Sequence, residues 1–409
     1  MKDLRSEVRS AFEKEQAANP PASDLRRTVV AATPTYRRRG HGLQWMAVAA
    51  AIVIAALVVV SLMSSRAAFR TQRPAHPSPL ATVANGEDYG PPPPGVPLVY
   101  LRDPYNAGWY TGFDWSGTPR GTIKLGQQNV ADATLMQSPD GSYFVLSPSG
   151  KGVPPGALLD RLGKPVSGTV GIWADDGRHT CSVAFDRKSF TWTLVTGGPN
   201  QASRDVAVIA RDANIGQTGI AVAACSFKSD RVIAVRTTVT WPSEMWVIRL
   251  SDGQVAKPVA LSNPEELANL VASADGLLVA ENSAMSAGKL NASNRSTVIR
   301  RVADGSVVLT LNGMLGVQGF SADDSRALVS APMGGGQTSY LEVIDLATGK
   351  VIWRYDTDQQ LVGFVAQPGG AGFAVLLSGL TYSRSFPVTA LIVKGDGSSV
   401  DLPAGYLRP

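Results

Sequence analysis

Short apolar runs separated by turns of the Asp-Gly type recur along the chain from residue 98 onward. The third residue of each turn falls at positions 140, 176, 230, 275, 323 and 369, at intervals of 36, 54, 45, 48 and 46 residues. A second set of turns lies between these, with glycines at positions 253, 305, 349 and 397. Asp-Gly between strand-like runs is a strong hairpin signal, and two hairpins per repeat indicate about four strands.

A four-stranded antiparallel repeat of this period is typical of a β-propeller blade. One such sheet cannot cover both of its faces, whereas blades stacked radially bury those faces against their neighbours. The 312 residues from 98 to 409 hold about seven repeats of roughly 46 residues. We therefore predict an all-β domain, a β-propeller of about seven blades, with six and eight blades left open. A pair of β-sandwiches is the alternative, and 264–271 is the one stretch after residue 98 that favours a short helix.

Two stretches of the repeat resemble known propeller families. The run 320–329, FSADDSRALV, resembles the turn of TolB-like and WD-repeat-like propellers. The run 341–353, LEVIDLATGKVIW, is similar to the strand–turn–strand unit of those folds. Its Gly349-x-Val351-x-Trp353 pattern also looks like a quinoprotein repeat, but no Trp follows Gly253 or Gly305 at that spacing. The resemblance covers most of 98–409 and implies a bacterial membrane-anchored propeller.

An uncharged apolar segment, LQWMAVAAAIVIAALVVVSLM, runs from Leu43 to Met63. Its 21 residues span about 30 Å as a helix, which matches the hydrocarbon thickness of a bilayer. Five arginines precede it (positions 26, 27 and 37–39) and three follow (66, 70 and 73), which favours a cytoplasmic N-terminus. The sequence thus predicts a single-pass plasma membrane protein with a large extracytoplasmic domain. A cleaved signal peptide, with 65–67 as a weak cleavage site, would place that domain outside as well.

The charge is divided between the two sides of this segment. Residues 1–73 carry a net charge of +7, and residues 74–409 carry −2. A nucleic-acid-binding protein would carry its positive charge on the folded domain, so we do not expect a nucleic-acid partner. This asymmetry is typical of membrane topology instead.

The remaining chain divides into a tail and a linker. Residues 1–42 form a cytoplasmic tail in which Leu4, Val8 and Phe12 predict a short amphipathic helix over 3–18. The region 64–97 is a linker whose last 24 residues contain eight prolines, a composition typical of an extended spacer. The run 91–94 also has the composition of a polyproline ligand.

Catalytic and metal-binding patterns are scarce in the sequence. His179 is the sole histidine of 98–409, and neither a Gly-x-Ser-x-Gly elbow nor a phosphate-binding loop occurs. The pairs 175–176 and 323–324 offer oxygens to calcium, although aspartate is also ordinary in turns. Cys181 and Cys225 lie 44 residues apart, close to one repeat, so they form either a disulfide between neighbouring blades or two buried thiols. We assign no catalytic residue, metal or cofactor.

These observations favour a binding module. We expect a membrane-tethered extracytoplasmic propeller that binds an unknown protein, peptide or glycan outside the membrane and contacts the lipid bilayer through 43–63. One alternative is a transmembrane signalling regulator that uses the cytoplasmic tail. Another is an enzyme, either quinoprotein-like or glycan-active.

Overall fold

The structure is a computed structural model that describes 12 stretches of the chain. They are residues 87–103, 108–125, 133–148, 156–211, 219–236, 244–256, 261, 267–283, 296–313, 315–334, 337–378 and 388–405. The predicted tail (1–42) and membrane segment (43–63) lie outside them. Within these stretches no helix has the length and apolar character needed to cross a bilayer.

The described strands form seven antiparallel sheets, each built from strands that are consecutive in sequence. Blade 1 contains β1 (Val99–Arg102), β2 (Trp109–Phe113) and β3 (Pro119–Lys124); blade 2 contains β4 (Ala133–Gln137), β5 (Tyr143–Pro148), β6 (Ala157–Asp160) and β7 (Pro165–Val166). Blade 3 contains β8 (Ile172–Trp173), β9 (Thr180–Asp186), β10 (Thr191–Gly198) and β11 (Gln201–Arg211); blade 4 contains β12 (Ile220–Ser226), β13 (Arg231–Arg236) and β14 (Glu244–Arg249).

The remaining three blades have four strands each. Blade 5 contains β15 (Leu267–Ala272), β16 (Leu278–Ser283), β17 (Ser296–Arg301) and β18 (Val307–Asn312). Blade 6 contains β19 (Gly316–Phe320), β20 (Arg326–Gly334), β21 (Gln337–Asp345) and β22 (Val351–Asp356). Blade 7 contains β23 (Gln360–Ala366), β24 (Phe373–Ser378), β25 (Val388–Val393) and β26 (Ser399–Gly405). The short helix expected over 264–271 was wrong, since strand β15 covers most of that stretch.

The hydrophobic core lies between the blades, as the fold prediction required. Leu328 and Val343 of blade 6 pack against Phe373 and Val375 of blade 7, and all four are fully buried. The ring closes where Val99, Leu101 and Phe113 of blade 1 pack on Ala374, Ile392 and Leu402 of blade 7. The all-β, seven-bladed propeller is therefore confirmed.

Blade 1 differs from the other blades in the positions that its three described strands occupy. Its β2–β3 turn lies against the outer strand of blade 7, where a Cβ on Gly117 would meet Val400 at 2.9 Å. The third turn of blade 7 meets the outer strand of blade 6 in the same way, through Gly397 and Ile352. Strands β1 to β3 therefore occupy the second to fourth positions of a blade, and the described residues include no innermost strand for blade 1.

The two ends of the propeller are built differently. The turn end carries the first and third turns of each blade. The loop end carries the connection between the second and third strands and the connection from one blade to the next. At the turn end, Ser273 Oγ donates to Asp275 Oδ1 (2.7 Å) and accepts the N–H of Leu278 (3.0 Å), while Asp275 Oδ1 accepts the N–H of Leu277 (2.9 Å). The turns at 138–143 and 321–326 repeat these bonds, because Ser-x-Asp satisfies the turn's own donors.

Residues 87–97, which the sequence assigned to the linker, lie along blades 1 and 2. Thr122 N–H donates to the carbonyl of Gly90 (2.7 Å), and Tyr89 N–H donates to Thr122 Oγ1 (3.1 Å) on the outer edge of β3. Arg161 then donates to the carbonyl of Pro92 (3.0 Å), which is buried. This segment, here called the strap (residues 87–97), covers an otherwise open strand edge.

Candidate functional site

The turn-end aspartates that offered oxygens to calcium are engaged in protein hydrogen bonds. Asp175 accepts Ser226 Oγ (2.6 Å) and the N–H of Phe227 (2.9 Å) in the next blade. Asp323 accepts Ser321 Oγ (2.6 Å) and Ser325 Oγ (2.8 Å). Among the residues that the structure describes, no three potential ligands converge as a metal site would require. These aspartates form turns and join blades.

Asp324 is an exception, because its carboxyl group meets that of Asp275 across the junction of blades 5 and 6. The pKa of Asp324 is raised to about 8, first by burial and then by the hydrogen bond and the negative charge of Asp275. Two adjacent carboxyl groups share a proton more readily than they both ionise. Asp324 occupies a turn position with a φ of 56°, where the equivalent residue of blade 5 is Gly276. We therefore expect the stability of this junction to depend on pH.

His179 is part of the packing between blades 3 and 4. Its Nδ1 lies 2.5 Å from Asp176 Oδ2, and its ring stacks on Phe227 with centroids 4.0 Å apart. Burial acts against ionisation of Asp176, but hydrogen bonds from the N–H groups of Arg178 and His179 lower the pKa of this carboxyl below its usual value. The histidine thus stabilises its turn and the packing of blade 3 against blade 4.

Cys181 and Cys225 are bonded to each other in the structure. Cys181 lies on β9 of blade 3 and Cys225 on β12 of blade 4, with their Cα atoms 6.1 Å apart. Both side chains are buried in the hydrophobic cluster between these blades. The bond joins two blades across 44 residues of sequence, and it belongs to the scaffold.

The loop end carries charged side chains laid on aromatic rings. Three such pairs occur among the described residues: Lys124 lies 4.3 Å from the ring centroid of Trp109, Arg236 lies 5.4 Å from that of Trp246, and Arg354 lies 3.8 Å from that of Tyr340. They belong to blades 1, 4 and 6, and each is near the end of its strands that leads to the loops. Arg236 and Trp246 are buried, whereas Trp109 and Tyr340 are half-buried and their cations are exposed.

A carboxylate neutralises each of these cations. Asp88 of the strap pairs with Lys124, Glu244 lies 2.9 Å from Arg236, and Glu342 lies 2.9 Å from Arg354. Burial raises the pKa of Glu342, and the Arg354 guanidinium partly offsets this effect. The arrangement suits recognition, since aromatic and arginine side chains are enriched where proteins bind partners.

Blade 3 adds an aromatic group at the same end. Phe185 and Trp192 lie opposite each other on β9 and β10, with ring centroids 4.5 Å apart. The turn between these strands carries Arg187, Lys188 and Phe190, all exposed. Sequence reasoning missed these loop-end residues because they follow no catalytic or metal-binding motif. Their one signal was the pairing register of the hairpins, which the turns alone do not give.

Comparison with known proteins gives likeness in fold alone. No protein family model matches the chain, and no curated protein matches it in sequence. A hydrazine synthase from Kuenenia stuttgartiensis is similar at 13% identity and a TM-score of 0.47, over 76% of this chain and 97% of that one. The β-propeller domain of Cps50 (Swd1) from Myceliophteria thermophila is similar at 13% identity and a TM-score of 0.41, over 66% of this chain and 87% of that one. An uncharacterised protein from Listeria monocytogenes is similar at 10% identity and a TM-score of 0.47, over 69% of this chain and 86% of that one.

Proposed function

We propose that this protein is a membrane-tethered, extracytoplasmic propeller that binds a protein or peptide partner through its loop end. The observation that carries the proposal is the set of accessible aromatic side chains with charged partners at that end, Trp109 with Lys124 and Tyr340 with Arg354. The turn end instead uses its carboxylates and hydroxyls for its own turns and for links between blades. A surface with aromatic anchors and adaptable charged groups is what protein recognition requires.

The tether is supported by the sequence and by the disulfide. The segment 43–63 has the length and composition of a membrane span. The bond between Cys181 and Cys225 fits an oxidising compartment, where structural disulfides persist. The strap lies at the outer edge of blade 1, where Asp88 pairs with Lys124 near the loop end.

Site-specific photocrosslinking tests the binding surface. A benzophenone amino acid replaces Arg187 at the loop end in one variant and Lys350 at the turn end in another; both positions are exposed. We expect a covalent adduct with a partner from the loop-end position and none from the turn-end position. Adducts from Lys350 alone, or from neither position, would contradict the proposal.

The same experiment on a chain without residues 1–42 separates binding from signalling. Equal adducts with and without the tail support a tethered binding module. Loop-end adducts that are lost when residues 1–42 are removed would instead support the transmembrane regulator.

A further inference from the structure

Phe190 has a backbone conformation that a phenylalanine rarely adopts. Its φ is 53°, in the left-handed region that favours glycine. The other described non-glycine residues with positive φ are Asn200, Asp230 and Asp324, whose short polar side chains tolerate it better. Phe190 is also 43% exposed, so burial of its ring does not compensate for the strain.

The turn that carries Phe190 is closed by hydrogen bonds of Asp186. Asp186 Oδ1 accepts the N–H of Lys188 (2.9 Å), and Asp186 Oδ2 accepts Ser189 Oγ (2.6 Å). Asp186 also pairs with Thr191 in the register of β9 and β10, which closes a four-residue turn. The strained conformation is therefore imposed by an ordered hairpin, and the aromatic ring is presented to solvent at the loop end.

Cationic side chains belong to the same turn and to the adjoining strand end. Arg187 and Lys188 belong to the same turn, and Arg211 lies opposite Thr191 at the end of β11. These three cations are exposed, and the carboxylate of Asp186 is committed to its turn. Residues 74–409 as a whole carry a net charge of −2, so this corner is locally basic.

We propose that this corner is a docking site for an acidic peptide segment that carries an aromatic or large aliphatic side chain. The corner consists of Phe185, Arg187, Lys188, Phe190, Trp192 and Arg211. Charge complementarity selects the acidic residues, and the apolar rings take the apolar anchor. Arginine and aromatic side chains are enriched at protein interfaces, which favours a peptide over a glycan. The inference rests on the proposed function, because it names the chemistry of the partner that the loop end binds.

Panning a displayed library of random nine-residue peptides on the full chain in detergent micelles tests this site. We expect enriched peptides rich in Asp and Glu with at least one aromatic or large aliphatic residue. The affinity of these peptides is then measured by fluorescence anisotropy for the wild type and for variants. Phe190→Gly removes the ring and the strain, and Arg187→Glu/Lys188→Glu reverses two charges. Lys164→Glu/Lys350→Glu is the control, with the same change in charge at two exposed turn-end positions.

We expect Phe190→Gly and the loop-end double variant to weaken binding by roughly tenfold or more, and the control to leave it within about twofold. Phe190→Gly should also unfold at the same or a higher denaturant concentration, because glycine adopts positive φ freely. A purely structural role for Phe190 predicts the opposite change in stability. Enriched peptides that bind all variants equally would overturn the site but leave the proposed function standing. If no peptide is enriched, or if an acidic oligosaccharide alone binds in a Phe190-dependent way, the peptide proposal fails.

Discussion

The side chain of Asn282 in blade 5 forms two hydrogen bonds with the backbone of Val317 in blade 6. Its Nδ2 donates to the Val317 carbonyl (2.8 Å), and its Oδ1 accepts the Val317 N–H (2.9 Å). Asn282 is buried. The inner strand β19 is an edge strand of its sheet, and the amide of Asn282 pairs with backbone groups on its open side. Neighbouring blades are thus joined by polar groups as well as by apolar packing.

Replacing Asn282 with Leu should destabilise the ring. The change leaves the N–H and carbonyl of Val317 buried without these partners, and each such group costs about 1–3 kcal/mol. We expect a loss of roughly 2–4 kcal/mol in the free energy of unfolding, measured by urea denaturation. Asn312→Ala, at an exposed position on β18, should change stability by less than about 0.5 kcal/mol. An equal effect of the two substitutions would show that the Asn282 contacts contribute nothing.

Removing the disulfide should also destabilise the domain. Because the bond closes a loop of 44 residues, the chain-entropy estimate is about 4 kcal/mol, and measured losses are commonly about 2–5 kcal/mol. Cys181→Ala/Cys225→Ala should therefore have a much lower denaturation midpoint than the oxidised wild type. Dithiothreitol should lower the midpoint of the wild type and leave that of the double variant unchanged.

The Asp275–Asp324 contact predicts a specific dependence of stability on pH. The folded pKa of Asp324 is about 8, above the ordinary value of 3.8, so the folded state binds the proton more tightly than the unfolded state does. This contribution is complete below pH 3.8 and is lost as the pH rises to about 8. We expect Asp324→Asn to gain stability relative to the wild type over that interval, as measured by urea denaturation at several pH values.

Asp304→Asn provides a control of opposite sign. Hydrogen bonds from the hydroxyl and N–H of Ser306 lower the pKa of Asp304, so the stability that it contributes is lost in acid. The Asp304→Asn variant should be less stable than the wild type at neutral pH, and the difference in stability should shrink as the pH falls. A flat difference between Asp324→Asn and the wild type from pH 4 to 8 would refute the shared proton.

The strap should be displaced by a side chain at Gly121. A Cβ there would lie 2.5 Å from the Cα and 2.7 Å from the N of Pro92, and these backbone atoms cannot yield without moving the strap. Gly121→Val should therefore expose residues 87–97 to limited proteolysis in the full chain. Gly219→Val, where a Cβ meets nothing within 4 Å, should leave the cleavage pattern unchanged.

The turns made the fold predictable, because Asp and Gly at fixed positions satisfy donors and adopt positive φ in every blade from the second onward. The composition of blade 1 and the strap could not be predicted. A proline-rich run is typical of a spacer, whereas this one packs against blade 1 because Gly121 has no side chain to block it. The candidate site was equally hidden, since nothing in Lys188-Ser189-Phe190 indicates that the phenylalanine adopts a conformation suited to glycine.

We infer that the propeller lies outside the membrane and is held there by residues 43–63. This topology is tested by adding protease to intact cells that produce the full chain, with fragments identified by mass spectrometry under non-reducing conditions. We predict release of a soluble, disulfide-bonded fragment that begins between residues 64 and 86, while residues 1–42 stay protected with the membrane until the cells are lysed. Protection of the propeller until lysis, or removal of the intact chain from membranes by an alkaline carbonate wash, would rule out this topology.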